Sequence, residues 1–343
     1  MPTREDLQIL QAQDLELKVA LTKQRIREWV AEFSSQGVYV SFSGGKDSTV
    51  LLHLVRELYP DVEAVFVNTG LEYPEIQRFA KTFDNVRILY PKKTFKQVIC
   101  EYGYPIIGKE IAQVIDEARK ADVNGKYSYR LRRLNGTLTD KSGNKSAYCC
   151  EKYSSLIDTD FQISNKCCLI MKERPAKKYE KEFDKKAIIA SMTDESRARE
   201  QAWLKTGCNA FESSRQISKP LSFWTEQDVL QYIKEENLPI ASVYGDIVPV
   251  GGQMSFEGCD CKLCTTGCNR TGCIFCGFGA HLEKGEGRFQ RLKRTHPKQY
   301  DFCINGGGYD KNGIWKPNEK GLGMGHVFDE LNKLYGENFI KYK

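Results

Sequence analysis

Val38-Tyr39-Val40-Ser41-Phe42-Ser43-Gly44-Gly45-Lys46-Asp47-Ser48-Thr49-Val50-Leu51-Leu52 is the stretch that decides the fold of this chain. Its first five residues are apolar, β-branched or aromatic in the main, which predicts a buried strand over 38–42. Ser43 to Ser48 is a loop of small residues carrying one cation and one anion. From Thr49 to Tyr59, Val50, Leu51, Leu54, Val55 and Leu58 recur at helical spacing and Pro60 supplies a stop. A strand, a Gly-rich loop and a helix N-terminus in succession make an anion site, because backbone N–H groups converge there and the helix dipole adds positive potential. Gly44 and Gly45 let the backbone close around phosphate oxygens, and Lys46 adds a point charge. The G-x-x-x-x-G-K-[ST] spacing is absent, so this is not a Walker A loop. The bland alternative is a βα turn that happens to be Gly-rich.

Working outward, strands are expected at 62–67, 86–90 and 187–191. Helices are expected at 49–59, 73–83, 93–102 and about 109–120. Strands alternating with helices predict an α/β fold with a doubly wound parallel sheet and right-handed crossovers. Residues 3–34 read as one or two helices, with Leu7, Leu10, Leu17, Leu21, Ile26, Trp29, Val30 and Phe33 apolar. The segment 220–229 reads as a turn and then a helix, with Thr225 as N-cap and Asp228 at the capping-box position. Three regions follow: a helical segment 1–36, an α/β domain 37–247, and a Cys-rich, basic segment 248–343.

Composition narrows the class. The chain has 343 residues, 41% hydrophobic and 28% charged, as in ordinary globular proteins. No run of 18 apolar residues occurs and the first residues lack a signal-peptide core, so a cytoplasmic location is expected. Thirteen cysteines in a reducing compartment read first as metal or redox sites. The net charge of +6 permits an anionic partner without demanding one. Most of the local excess lies in an insertion at about 119–150. There Arg119, Lys120, Lys126, Arg130, Arg132, Arg133, Lys141 and Lys145 surround Tyr127 and Tyr129, as they would on a nucleic-acid surface, in a solvated insertion, or in a loop closing over a ligand. A second basic run (His281, Lys284, Arg288, Arg291, Lys293, Arg294, His296, Lys298) suggests an amphipathic helix with a solvated or anion-binding face.

Two further loops belong at the carboxyl ends of strands, where open α/β sheets bind ligands. One is Asn68-Thr69-Gly70-Leu71-Glu72-Tyr73-Pro74-Glu75. The other carries Glu195, Arg197 and Arg199, whose arginines suit a phosphate or sulfate clamp or simply a charged first helical turn. Cysteine gives the other strong signal. Cys167-Cys168 and Cys273-Ile274-Phe275-Cys276 supply two pairs of thiolates that can hold zinc or an iron–sulfur cluster, and the residues alone leave both open. Cys149-Cys150 is a rival upstream pair. Cys259, Cys261, Cys264 and Cys268 could close a separate zinc knuckle or supply alternative ligands. Cys208 and Cys303 have no partner by spacing.

Ser43 to Ser48 resembles the S-G-G-x-D-S loop of the PP-loop ATP pyrophosphatases, the adenine nucleotide alpha-hydrolase superfamily. Asn68 to Glu75 is similar to the D/N-T-G-x-x-x-P-E pattern of its phosphoadenosine phosphosulfate (PAPS) reductase family. The Cys-Cys pair followed by Lys172, Arg174 and Pro175, with the downstream Cys-x-x-Cys, resembles the [4Fe–4S] ligand set of adenylyl-sulfate (APS) reductases and of the ATP-hydrolysing component of DNA phosphorothioation systems. The resemblance covers roughly residues 38–280. It implies an ATP or adenylyl nucleotide with Mg²⁺ on Ser43, Gly44, Gly45, Lys46, Asp47, Ser48, Asn68, Thr69, Gly70, Glu195 and Arg199. It makes Lys46, Asp47 and Arg197 the catalytic candidates, and Cys167, Cys168, Cys273 and Cys276 the ligands of a [4Fe–4S] cluster, with Zn²⁺ as the alternative. Two departures matter. Ser191-Met192-Thr193 stands where the reductases carry G-x-R, and Ile304 to Lys343 contains no cysteine to serve as the family's C-terminal nucleophile. The implied function is therefore cleavage of ATP at the α-phosphate in support of sulfur transfer. A nucleic acid is the candidate acceptor, and a cysteine desulfurase or thioredoxin-like protein the candidate donor. The alternatives are an APS/PAPS reductase using Cys303 or Cys208, and a metal-stabilised nucleic-acid-binding protein.

Overall fold

The apolar run of the opening stretch forms β1 of a six-stranded sheet in the structure, a computed structural model that describes residues 2–122, 124–252 and 262–343. The described chain folds as two units, each discontinuous in sequence. The first takes in residues up to Asn68, Glu72–Tyr90 and Pro175–Thr271. The second takes in Thr69–Leu71, Pro91–Arg174 and Gly272–Lys343.

The first unit holds, in chain order, α1 (Arg4–Gln11), α2 (Leu15–Phe33), β1 (Val38–Ser41), α3 (Lys46–Leu58), β2 (Ala64–Val67), α4 (Pro74–Ala80) and β3 (Val86–Leu89). After a long excursion come α5 (Arg174–Phe183), β4 (Lys186–Ile189), α6 (Arg197–Thr206), β5 (Asn209–Ala210), β6 (Ile217–Ser218), α7 (Glu226–Glu235) and an antiparallel pair, β7 (Ile247–Pro249) with β8 (Leu263–Thr265). The sheet order is β3-β2-β1-β4-β6-β5. All neighbours are parallel except β5 and β6, which pair antiparallel. Val38 to Val40 and Ala64 to Phe66 are buried without alternation. Helices cover both faces of such a strand, so every side chain is apolar. The expected mixed α/β class with a mainly parallel sheet is what forms. Strand order reverses at β1, whose neighbours are β2 on one side and β4 on the other. A crevice therefore opens beyond the carboxyl ends of β1 and β4.

Boundaries moved where local chemistry overrode periodicity. The strand expected from Val62 begins at Ala64, because the Val62 N–H closes a turn on the Tyr59 carbonyl at 3.1 Å. The helix expected over 73–83 runs only from Pro74 to Ala80, with Tyr73 as its N-cap residue. The N-terminal helices are tied down by a buried ion pair. Lys18, 2% exposed, places its Nζ 2.8 Å from both carboxylate oxygens of Asp228. Asp228 closes the expected capping box with Thr225, and Trp224 Nε1 donates to Thr22 Oγ1 at 2.9 Å.

The second unit is helical with small sheets. Its helices include Phe95–Tyr102, Lys109–Ala118, Ser128–Leu134, Arg288–Thr295, Pro297–Ile304 and Met324–Tyr335. Ile106–Ile107 pairs parallel with Gly277–Phe278. Tyr104, Phe161, Phe289, Phe328 and Cys303 are buried in it, and Tyr104 Oη donates to the Leu322 carbonyl at 2.8 Å. Much of the basic insertion is consumed internally. Arg119 donates to the carbonyls of Leu156, Ile157 and Phe161 at 2.6, 3.0 and 2.7 Å. Arg130 pairs with Glu117 and Arg133 with Glu110, at 2.6 and 2.7 Å. Of the second basic run, Arg288–Thr295 forms an amphipathic helix that buries Phe289 and Leu292, while Arg291 and Arg294 pair with Glu286; His281 and Lys284 precede that helix and Lys298 lies in the first turn of the next one. Among the described residues no helix is long and apolar enough to cross a membrane.

Removing one member of a buried ion pair strands the other charge. Asp228→Ala should therefore cost about 3–5 kcal/mol in urea unfolding. The double variant Lys18→Met/Asp228→Ala should recover part of that loss, and an additive loss would show that the two groups are not coupled.

Candidate functional site

The loop between β1 and α3 is shaped by two glycines. Gly44 sits at φ +71, and a Cβ there would meet Ile76 Cγ2 at 2.9 Å. A Cβ on Gly45 would come within 3.2 Å of Ser43 Oγ and 3.3 Å of Tyr244 Oη. Side chains in the loop hold it from within. Ser43 and Ser48 hydroxyls lie 3.0 Å apart, and the Ser48 and Thr49 hydroxyls donate to the Gly45 carbonyl at 2.9 and 3.0 Å. No side chain of the N-cap residue Gly45 closes the N-terminus of α3. The Lys46 N–H instead reaches Tyr244 Oη at 3.4 Å, and that hydroxyl is 2.6 Å from Thr271 Oγ1.

Lys46 is 4% exposed, so its ammonium needs a counter-charge. Glu226 Oε1 provides it at 2.9 Å, and the same Nζ lies 5.5 Å from the Tyr244 ring centroid. Burial, and then the neighbouring Glu195 carboxylate, push the Asp47 carboxyl up to about 6 against the opposing pull of Lys46 and Arg270. Burial likewise holds the Tyr244 phenol protonated, pushed up to about 12.

Glu195 enters from the loop after β4, on the other side of the crevice. It pairs with Arg199 and, at 3.4 Å, with Arg270. Ser196 caps α6, which makes Arg197 and Arg199 its first-turn residues, and Arg197 is exposed. Asn68 is buried at the end of β2 and its N–H donates to the Leu89 carbonyl at 2.9 Å. Thr69 Oγ1 accepts from the Leu71 N–H at 3.2 Å, and Gly70 takes φ +73. The switch point thus gathers Lys46, Asp47 and Glu195 from the sequence-based set. It adds Glu226, Tyr244, Arg270 and Thr271, which sequence reasoning missed. Glu226 stood in plain view as the first residue of a recognised helix. Tyr244 had only the following Gly245 as a signal, at φ +66.

The thiols form a separate group in the second unit. Cys167 and Cys168 lie on a short helix that continues into the wide turn Leu169–Glu173, with their sulfurs 4.0 Å apart. Cys273 and Cys276 close a tight turn, the Cys276 N–H donating to the Cys273 carbonyl at 3.0 Å. The hydrogen bond to Cys168 and burial raise the Cys167 thiol, and the charges of Cys276 and Cys273 add to that rise. The hydrogen bond from Cys167, helped by Lys109 and Lys172 and opposed by burial, pulls the Cys168 thiol down to about 6. Burial pushes Cys276 up to about 11. Among the described residues no three His, Cys, Asp or Glu side chains are grouped as ligands of one metal ion. What the donor set offers is four soft thiols in one unit with two cations beside them, chemistry that suits an anionic cluster. The rival pair Cys149-Cys150 points at the carbonyls of Leu138 and Arg133, at 3.4 and 3.7 Å. Cys259 and Cys261 lie outside the described residues, while Cys264 is half-buried and Cys268 buried. Cys208 is buried, and Cys303 is fully buried with its sulfur 3.5 Å from Met324 Sδ.

The profile of the phosphoadenosine phosphosulfate reductase domain matches residues 37–105 and 120–277, more than half of the chain. The chain belongs to this family. A phosphoadenosine 5'-phosphosulfate reductase of Xylella fastidiosa is 29% identical over 99 residues, 27% of this chain and 40% of that protein. An adenosine 5'-phosphosulfate reductase of Staphylococcus epidermidis is 23% identical over 227 residues, 65% of this chain and 72% of that protein. An uncharacterised protein of Methanocaldococcus jannaschii is 25% identical over 130 residues, 37% of this chain and 32% of that protein. The chain thus spans about a third of the archaeal relative and two fifths of the Xylella enzyme. The family match takes in both sheet loops and all four thiols.

Because Asp47 holds its proton more tightly folded than unfolded, unfolding releases a proton and stability falls as pH rises from 3.8 toward about 6. Asp47→Asn should therefore raise the melting temperature at pH 7 and leave it unchanged at pH 3.5. Equal shifts at both pH values would remove burial and Glu195 as the cause.

Proposed function

We propose that this protein is a PP-loop enzyme that binds ATP or an adenylyl nucleotide and cleaves it at the α-phosphate to support sulfur transfer. The observation that carries the reading is the Ser43–Ser48 loop, set at the switch point of the sheet with a buried ammonium and, next to it in the chain, a carboxyl whose burial raises its pKa. In this reading the phosphates lie on loop N–H groups, with Lys46 neutralising them and Mg²⁺ held by Asp47. Arg197 and Arg199 would steady the outer phosphates, and Asn68 would contribute from the end of β2. An acceptor nucleophile attacks the α-phosphorus, the bond to the bridging oxygen breaks, and pyrophosphate leaves with that electron pair. The acceptor's proton passes to solvent. The adenylated acceptor is then open to displacement of AMP by sulfur.

Cys167, Cys168, Cys273 and Cys276 would hold a [4Fe–4S] cluster, which supplies redox and sulfur chemistry when bound, with Zn²⁺ as the alternative occupant. A cysteine desulfurase or thioredoxin-like protein would deliver the sulfur. Direct reduction of APS or PAPS is the less supported reading. Its stand-in nucleophiles, Cys208 and Cys303, are buried, and burial raises both thiols away from the reactive thiolate form, Cys303 most of all.

For the acceptor we propose a nucleic acid. Tyr129 and Tyr148 are exposed in the basic insertion, and so are Arg132 and Lys141. Exposed rings stack on bases while cations neutralise phosphate.

Anaerobic purification followed by iron, sulfide and pyrophosphate assays tests the first proposal. Lys46→Ala should keep its iron and lose nucleotide affinity about ten- to a hundredfold, the worth of charged hydrogen bonds. Cys167→Ser should lose iron and still release pyrophosphate from ATP. Iron-free wild type, or full nucleotide binding by Lys46→Ala, sinks the corresponding half. Binding to single-stranded nucleic acid should weaken steeply with salt, and charge reversal at Arg132 and Lys141 should flatten that slope. A salt-independent interaction returns the insertion to a structural role.

A further inference from the structure

Two side chains outside the loop occupy the positions that an anion would take. Glu226 Oε1 lies 2.9 Å from Lys46 Nζ, and Tyr244 Oη lies 3.4 Å from the Lys46 N–H at the otherwise uncapped start of α3. One supplies negative charge to the ammonium and the other an acceptor oxygen to the amide, the two things a phosphate would offer together. We propose that Glu226 and Tyr244 are specificity-determining residues of the phosphate site, a resident substitute that any incoming phosphate chain must displace from Lys46. This inference rests on the phosphate-binding reading of the loop.

The geometry behind both groups is fixed. Glu226 is the first residue of α7, whose Thr225–Asp228 capping box is anchored by the buried Lys18. Its side chain is 43% exposed while that of Lys46 is 5% exposed. The carboxylate can therefore swing into water, whereas the ammonium stays in place. Tyr244 is held by Thr271 at 2.6 Å and by the Gly267 N–H on its carbonyl at 2.8 Å. Gly245 keeps that turn, since a Cβ there would sit 2.2 Å from Thr266 Oγ1. Displacement thus separates an ion pair and relocates one hydroxyl contact. That is a fixed penalty, which a multiply charged phosphate chain overcomes and a single weak anion does not. The same contacts keep the buried Lys46 compensated between turnovers, so the loop need not rearrange to receive its ligand.

Metal-free inorganic pyrophosphate is the probe, with affinity read by calorimetry on the full chain. Glu226→Gln should bind it about tenfold more tightly than wild type, because the competing charge is gone and the polar contact survives. Tyr244→Phe should shift affinity in the same direction by a smaller factor. In a Lys46→Ala background, Glu226→Gln should have no effect, which a merely structural role for Glu226 would not produce. Wild-type binding that is unchanged or weakened by Glu226→Gln, with melting temperatures preserved, overturns the substitution device alone. Absence of pyrophosphate binding in wild type and Glu226→Gln alike overturns it together with the phosphate site.

Discussion

A buried ammonium is the constraint around which the first unit is arranged. Lys46 follows the glycines at the start of α3 and has almost no access to water, so the fold must deliver a carboxylate to it. That carboxylate comes from Glu226, on a helix encoded far along the chain. The helix is placed by Trp224 and Asp228 against α2, which the N-terminal segment supplies. The helices before β1 are therefore part of what positions the loop.

The two chemically loaded regions follow opposite electrostatic rules. At the sheet, burial and like charge raise a carboxyl pKa, leaving Asp47 poised to gain from a cation. At the thiols, a hydrogen bond from Cys167, with Lys109 and Lys172 behind it, lowers one sulfur while burial raises another. A carboxylate short of positive charge suits Mg²⁺ with phosphates, and a thiol already drawn toward thiolate suits metal ligation.

What was legible in the sequence was whatever local pattern decides. Unbroken apolar runs gave β1, β2 and β4, and Thr225 with Asp228 gave the start of α7. Glycines at Gly44 and Gly45 gave the loop, since Gly44 takes a φ of +71 that few other residues tolerate and a Cβ on Gly45 would crowd Ser43 and Tyr244. Contacts between distant residues were not legible. Nothing near Tyr244 indicates that its hydroxyl meets the Lys46 amide, and nothing near Glu226 indicates a partner 180 residues earlier. The basic insertion misled by counting. Charge count alone left it a nucleic-acid surface, a solvated insertion or a closing loop, whereas Arg119, Arg130 and Arg133 spend their guanidinium groups on carbonyls and carboxylates inside the unit.

The pairing of β1 with β4 also bears on how the chain reaches this state. Val38 to Ser41 sit in the middle of the sheet, and one of their two neighbours is Lys186 to Ile189. During synthesis β2 and β3 emerge soon after β1, but the strand that covers its other edge emerges only after the whole of 91–174. Until then a largely apolar strand presents an open row of backbone donors and acceptors, the kind of edge that recruits other chains. Such long-range parallel pairing is slow to form, because loop closure precedes any gain from contact. Yield of this protein in cells should thus depend on how fast the ribosome reaches residue 189, and on chaperones that shield β1 in the interval.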